Sequence, residues 1–318
     1  MCDVSVVILS YNFEKYIGQA IDSVLMQKTD FCYEIIIGDD FSPDNTRSVL
    51  YEYQAKYPDL IRLVLNEQNT GSTRLLYRIL TQECRGRYVI NFDGDDYWTD
   101  ADKLSKQKRI LEENPEYIGV GHIVEEKDSS GRSIGYYPAF TKSSFRITMH
   151  EFLRGARFSS TSVLYHNFFF NDVSGKYEIM YKASRNQGDL TRCLLFLDRG
   201  DVYILNEPLS VYRIRNQKGE MNFNSRFSWL EKMQMKINII ACNDNNFDGK
   251  YDFSFLAWDT IVLAFMLSIR YRGIGEFGKL YQSIPTQLKC HKYMLIPAVF
   301  NMFGFLKDKI IRDYRSQN

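Results

Sequence analysis

Through the first 115 residues, short apolar runs alternate with stretches of helical spacing, the pattern of βαβ units closing on a largely parallel sheet. Val4 to Leu9 (VSVVIL) is apolar at nearly every position and predicts a buried strand. Tyr16 to Met26 has helical spacing, with Asn12 read as the N-cap ahead of it. Tyr33 to Ile37 (YEIII) predicts a second strand that runs into Gly38-Asp39-Asp40. Ser42-Pro43-Asp44-Asn45 supplies turn and cap chemistry for a helix over Thr46 to Tyr57, which Pro58 closes. Ile61 to Leu65 is the third expected strand. After Asn69-Thr70-Gly71 a helix runs to about Cys84, and the fourth strand, Tyr88 to Phe92, leads into Asp93-Gly94-Asp95-Asp96.

Beyond residue 115 the pattern changes. Ile118 to Val124 reads as a strand, Asp128-Ser129-Ser130-Gly131 as a hairpin turn, and Ser162 to Tyr165 and Val202 to Leu205 as short strands, so this half is mixed rather than parallel. His150-Glu151 is read as the opening of a helix. From about Ser225 the spacing is helical, and Phe253 to Ile269 is apolar on most faces. The expected organisation is an α/β domain over 1–220, in two halves at 1–115 and 116–220, followed by a C-terminal helical extension over 221–318.

Composition narrows the class. The 318 residues are 45% hydrophobic and 25% charged, ordinary for a globular chain, and the formal charge of +1 gives no global field for nucleic acid. The charge is unevenly placed: residues 270–318 hold nine Lys or Arg against three Asp or Glu, a local +6 that leaves the remainder at −5. Six cysteines at 2, 32, 84, 193, 242 and 290 form no CxxC or Cys/His cluster, which fits a reducing cytosol. No leader pattern precedes the strand at Val4, and no run reaches the roughly 18 to 20 apolar residues of a membrane-spanning helix. The expected location is the cytoplasm, with attachment to the inner face of the cell membrane through 289–315, where Lys289, Lys292, Lys307, Lys309, Arg312 and Arg315 interleave with large apolar groups. A helical cap or a dimer interface is the competing reading of that tail.

The chemistry-bearing residues sit where three expected strands end: Ser10-Tyr11-Asn12, Asp39-Asp40 and Asp93-Gly94-Asp95-Asp96. Open α/β sheets bind ligands beyond the carboxyl ends of their strands. Carboxylates separated by one small residue can present oxygens to a hard divalent cation that also takes phosphate oxygens. A solvated acidic loop capping the next helix is the plainer reading of Asp93 to Asp96. Three carboxylates in four residues repel one another unless a cation or basic partner neutralises them, which favours the first. Arg74, after Gly71, is a candidate cation for an anionic ligand, and Trp98 is read either as packing or as a ring offering amphipathic contact area to a ligand.

Three segments, VSVVILSYNFEKYIGQAIDSVLMQ, YEIIIGDDFSPDNT and GRYVINFDGDDYWTDADKLSKQ, resemble family 2 glycosyltransferases in order, spacing and strand context. The resemblance is strong over about residues 3 to 115 and weaker to about 215. It implies the GT-A fold, a Rossmann-like mixed and mostly parallel sheet flanked by helices. It further implies an inverting hexosyl transfer from a nucleotide-diphosphate sugar, with UDP or dTDP as the expected carrier, to a glycan or lipid-linked hydroxyl in surface polysaccharide synthesis. By that resemblance Asp40 contacts the base, with Ser10 and Tyr11 framing the pocket. Asp93 takes the ribose or metal side, Asp95 ligates Mn2+ or Mg2+, and Asp96 shares that role.

The same resemblance places a general base about a hundred residues past the DxD group at a helix start. Gln187-Gly188-Asp189 precedes the apolar helix Leu190 to Leu197, which makes Asp189 the base, with an N-terminal helix acid as the structural alternative. Asn206 to Arg213 resembles the strand that closes the site. Arg215 stands where the family often has His, so Arg213 and Arg215 become acceptor-side or diphosphate candidates. Two rival classes remain at this stage: a phosphohydrolase using the DxD as nucleophile and acid, and a binding module without catalysis. Strand placement weighs against the first, because Tyr97 stands where a Thr or Val is usual. The intact set of Asp40, Asp93, Asp95 and Asp189 weighs against the second.

Overall fold

The computed structural model describes residues 2–185, 187–217, 220–221, 227–271, 273–289 and 298. The chain divides into two compact units, residues 1–149 with 157–213, and residues 150–156 with 214–318. In the first unit, β1 (Val4–Ser10), α1 (Ile17–Leu25), β2 (Tyr33–Asp39), α2 (Thr46–Lys56), β3 (Ile61–Leu65), α3 (Ser72–Gln82) and β4 (Tyr88–Asp93) alternate as the sequence pattern predicts. There follow β5 (Tyr97–Trp98), α4 (Lys103–Glu113), β6 (Tyr117–Asp128), β7 (Ser133–Tyr137) and β8 (Phe145–Ile147). After the short α5 (Met149–Leu153) come β9 (Leu164–His166), α6 (Ile179–Lys182), α7 (Asp189–Leu197) and β10 (Asp201–Ile214).

One ten-stranded sheet runs β3-β2-β1-β4-β9-β6-β10-β5, with β7 on β6 and β8 on β10. Strands β1 to β4 pair in parallel, whereas β9 is antiparallel to both β4 and β6 and β10 is antiparallel to β5 and β8. The fold is therefore the expected mixed sheet flanked by helices. Every residue of β1 is buried, as a central strand covered on both faces requires. On α1 the residues at i, i+3, i+4 and i+7, namely Ile17, Ala20, Ile21 and Val24, are fully buried in the core that holds Val4, Val6, Ile8, Ile35 and Ile90. β3 ends the order. It is only half buried, and its Arg62 pairs with Glu34 and Glu83, so charge occupies the sheet edge.

Three details differ from the sequence reading. The first helix begins at Ile17 with Tyr16 at its N-cap and no side-chain cap. Asn12 is no cap at all: its backbone sits at φ +60°, and its amide hydrogen-bonds to Ser42 Oγ at 3.0 Å. The expected strand at 162–165 is a 3-10 turn, Ser160–Ser162, before the three-residue β9. The two expected segments 202–205 and 206–213 form one continuous strand, β10, with the exposed Pro208 inside it.

In the second unit, α8 (Trp229–Asn246) opens on a capping box between Ser228 and Glu231. α9 (Ser254–Arg270), α10 (Ile274–Ser283) and α11 (Thr286–Lys289) follow. Buried Met233, Ala264 and Leu280 form its core, with Trp229, Leu230, Leu263, Leu267 and Phe277 packed around them. Among the described residues no helix is long and apolar enough to cross a membrane. The basic tail expected at 289–315 lies outside the described residues beyond Lys289, apart from Ala298.

Candidate functional site

The rim follows from strand order. β1 lies between β2 and β4, with Ser10 opposite Asp39 and Leu9 opposite Asp93. The Asp40 amide continues the β2 pairing onto Ser10 O at 3.0 Å, and the Gly94 amide does the same on the other side onto Leu9 O at 2.7 Å. Adjacent strands are spaced about 4.8 Å apart, so these three ends share a patch about 10 Å across. From β1 the chain goes to β2 on one side and later to β4 on the other, which makes this the switch point of the parallel half.

At the end of β2 the two carboxylates do different work. Asp39 is fully buried; its side chain accepts from Arg47 Nε at 2.5 Å, from the Ser42 amide at 3.1 Å and from Ser42 Oγ. That clamp holds Phe41 at φ +66°, unusual for a bulky residue, with its ring exposed and the Arg47 guanidinium 5.2 Å above it. Asp40 organises the β3–α3 connection. Its Oδ1 accepts from Asn66 Nδ2 at 2.6 Å, the Thr70 amide at 2.9 Å and Thr70 Oγ1 at 3.0 Å, and its Oδ2 from the Gly71 amide at 2.8 Å. Gly71 stands at φ +92°, where a side chain would be strained. The neighbouring loop is fixed as well, since the amides of Phe13 and Glu14 bond Thr46 Oγ1 and Asp44 Oδ2.

At the end of β4, Gly94 cannot be replaced freely: a Cβ there would stand 2.6 Å from Ile17 Cδ1 and 3.1 Å from Leu9 O. The flanking acids crowd together as a result. Asp93 is half buried, while Asp95 and Asp96 are buried. Burial foremost, and Asp95 after it, push the Asp96 carboxyl well above the usual carboxylate range, against the hydrogen bond from the Arg213 amide at 2.9 Å. Arg213 is the basic partner that the acidic loop needs. Its guanidinium bonds Asp95 O and Gln19 Oε1 and lies 4.5 Å from the Tyr97 ring centre and 5.1 Å from that of Tyr16.

Among the described residues no three His, Cys, Asp or Glu side chains make a ready metal cage. Small hard cations in nucleotide sites take one or two carboxylates and complete their shell with water and phosphate oxygens, and the crowded Asp93, Asp95 and Asp96 fit that donor set. Ser10 also fits a ligand-facing place, being 3% exposed with a hydroxyl that makes no hydrogen bond among the described residues. Trp98 lies in the core. It is 2% exposed, its ring 5.1 Å from Phe92 and capped by Lys103 Nζ at 4.0 Å, so of the two readings the structure supports packing.

Asp189 is the first residue of α7, its side chain 73% exposed. Ser160 Oγ donates to its Oδ1 at 2.7 Å, and the Arg192 guanidinium pairs with the same oxygen. The 3-10 turn that carries Ser160 lies against both β4 and α7. A second tie joins Asp189 to the loop that Asp40 holds: Thr73 Oγ1 bonds the carbonyls of Ser184 (3.1 Å) and Arg185, and Arg185 Nε bonds Thr70 O at 3.3 Å. Gly188 packs on Thr73, where a Cβ would meet Cγ2 at 3.1 Å.

Of the other expected residues, Tyr11 is exposed at the end of β1, and Arg74 is exposed on the first turn of α3 with Tyr181 5.3 Å beneath its guanidinium. Arg215, half buried just past β10, falls in the second unit. Sequence reasoning missed Arg47, Asn66, Thr73 and Arg192, and it read Ser160 within Ser159 to Ser162 either as part of an acceptor-facing segment or as a polar loop, without linking it to Asp189. The signal for Asn66 was turn chemistry, the Asn66 to Gly71 cluster of Asn, Thr and Gly beside an expected strand end.

Comparison with known proteins places the chain in a family. The profile described as Glycosyl transferase family 2 matches residues 5–174. A putative teichuronic acid biosynthesis glycosyltransferase, TuaG of Bacillus subtilis, is 30% identical over 221 residues, covering 69% of this chain and 82% of its own. An uncharacterized protein of Mycobacterium tuberculosis is 31% identical over 218 residues, 66% of this chain; the match spans 58% of the length of that relative. Among solved structures, S. aureus TarS 1-349 in complex with UDP-GlcNAc superposes with a TM-score of 0.63 at 17% identity, over 94% of this chain and 89% of its own, a likeness of fold. The sequence profile and the shared fold agree, and the chain belongs to glycosyl transferase family 2.

Proposed function

We propose that this protein transfers a sugar, with inversion, from a nucleotide-diphosphate donor to a glycan or lipid-linked hydroxyl in surface polysaccharide synthesis. The observation that carries the reading is the meeting of two acidic strand ends, those of β2 and β4, on either side of the polar end of β1 at one switch point, with a helix-start carboxylate whose preceding segment is tied to the loop that Asp40 holds. The names of relatives support the setting, since TuaG is described as a teichuronic acid biosynthesis glycosyltransferase and TarS was solved with UDP-GlcNAc. A UDP-sugar is therefore the donor to try first, with dTDP-sugars next.

In this reading Asp40 takes a base N–H on the second lone pair of Oδ2, while Ser10 and Tyr11 line the pocket and Asp93 faces the ribose. Asp95, with Asp93 and Asp96, would hold Mn2+ or Mg2+, which when bound neutralises charge on the departing diphosphate. Arg74 and Arg213 offer fixed cations on the phosphate side. Arg215 is assigned the same role on its sequence position alone. Asp189 Oδ2 removes the acceptor hydroxyl proton as that oxygen bonds to the anomeric carbon; the bond from that carbon to the diphosphate oxygen breaks, and the nucleoside diphosphate leaves with the electron pair. Attack from the face opposite the leaving group inverts the anomeric centre. Attachment at the inner membrane face through 289–315 remains part of the proposal, resting on the basic and apolar sequence there.

The test is a donor panel of UDP-, dTDP- and GDP-sugars scored for metal-dependent binding and transfer, with the product's anomeric configuration read by NMR. Inversion is expected, and retention would remove Asp189 as base. Asp95→Asn is expected to abolish metal-dependent donor binding while the protein still folds; donor affinity unchanged by either the metal or the substitution would end the metal assignment.

A further inference from the structure

Asp189 presents a problem for a base. A carboxylate 73% exposed on the first turn of a helix is free to rotate, yet proton removal needs one oxygen held within hydrogen-bond reach of the acceptor. The residues behind it answer this. Ser160 is 2% and Arg192 3% exposed. Ser160 Oγ and Arg192 Nη2 both bond Asp189 Oδ1, and Nη2 also reaches Ser160 Oγ at 2.6 Å, so the three groups close a triangle. The guanidinium is an expensive choice for this place: its Nε has no hydrogen-bond partner among the described residues, and an apolar side chain of similar volume is commonly the more stable occupant of a buried position. Such a charge persists when its geometry is needed.

Resting on the assignment of Asp189 as the base, we propose that Arg192 and Ser160 are its positioning residues, occupying Oδ1 so that Oδ2 alone points outward to take the acceptor proton. Neither touches substrate. Ser160 enters from the turn packed on β4, so the strand that ends in the metal-side acids also sets the rotamer of the base.

The experiment measures kcat and KM for donor and acceptor in Ser160→Ala, Arg192→Met and Arg192→Lys, alone and combined with Asp189→Asn. Misplacing a reacting group by about 1 Å costs about a hundredfold. Arg192→Met is expected to lower kcat by about that factor with donor KM unchanged, Ser160→Ala by about tenfold, and Arg192→Lys to recover part of the loss. On the residual turnover of Asp189→Asn, neither substitution should subtract further. If Arg192→Met does not fold, Ser160→Ala, which removes only a hydroxyl, carries the same comparison. Wild-type kcat in a folded Ser160→Ala, or an equal loss in the Asp189→Asn background, overturns the positioning role and leaves the base assignment standing. Normal turnover by Asp189→Asn itself removes the base and the positioning role together.

Discussion

Asp40 and Asp189 are both acids at the ends of secondary structure near one rim, and the protein treats them in opposite ways. Asp40 is 3% exposed and takes four hydrogen bonds from the 66–71 connection, so its charge is largely spent on shaping that loop. Asp189 keeps its side chain mostly in solvent, and only one of its oxygens has donors. Two acids with different structural surroundings are distinguished by what their oxygens already hold, even where the sequence around them looks equally motif-like.

The sharpest way to break this contrast is to replace both. Asp189→Asn is expected to lower transfer by about a thousandfold, within the range for loss of a general base, while metal-dependent donor binding stays near wild type and stability falls by about 1–2 kcal/mol, because Arg192 keeps a neutral acceptor in place of its carboxylate. Asp40→Ala should act instead on the fold and, through the proposed base contact, on donor binding. It leaves two backbone amides, the Asn66 amide group and the Thr70 hydroxyl without their acceptor, and a loss of about 3 kcal/mol is expected in chemical denaturation. Equal stability losses in the two variants would show that exposure does not separate their roles.

The contrast also explains what the sequence could and could not disclose. The parallel half was legible because buried strands and amphipathic helices have their own periodicities; β3 was expected at its observed limits, and β1, β2 and β4 were each expected to within two residues of theirs. β5 and β8 were not anticipated: two or three residues are too few to show a period, and their pairing with β10 is set by contacts distant in sequence. Among the site residues, short motifs at strand ends located the acids. They could not tell that Trp98 is covered by Lys103, or that Asn12 adopts a left-handed conformation, since both depend on what packs from other elements. The bond from Ser160 to Asp189 was invisible for the same reason, because the two are 29 residues apart and meet only once α7 settles beside the 3-10 turn, whereas Arg192 is a local i+3 neighbour of Asp189 that the helical spacing could have offered.

Between the two extremes stands the loop after β4, where the acids are shaped by a glycine. Gly94→Ala would press a methyl against Ile17 and the Leu9 carbonyl, and overpacking of this kind costs about 1–3 kcal/mol. The substitution removes no carboxylate. Loss of metal-dependent donor binding in a folded Gly94→Ala protein would therefore show that spacing, and not charge count, is what the acids require. Unchanged binding would place the loop nearer to Asp189, tolerant of its backbone.

Lys103 supplies the smallest and most discriminating test, because it has the burial of Asp40 without a comparable set of partners. It is fully buried, bonds Gln107 Oε1 at 2.7 Å and caps Trp98, and burial pulls its pKa well below the usual 10.5, only partly opposed by Asp100. Between the lowered folded value and 10.5 the unfolded chain carries a proton that the folded protein has shed. The difference in bound protons, unfolded minus folded, is then positive, so this lysine makes stability rise with pH across that window and level off near 10.5. Lys103→Met keeps the volume and removes the titration. It is expected to change stability by less than about 1.5 kcal/mol at neutral pH and to flatten the alkaline rise in denaturation curves taken from pH 7 to 10. A large loss at neutral pH would mean that Lys103 is held charged by the Trp98 ring, and that burial in this unit tolerates a cation as well as it tolerates the carboxylate of Asp40.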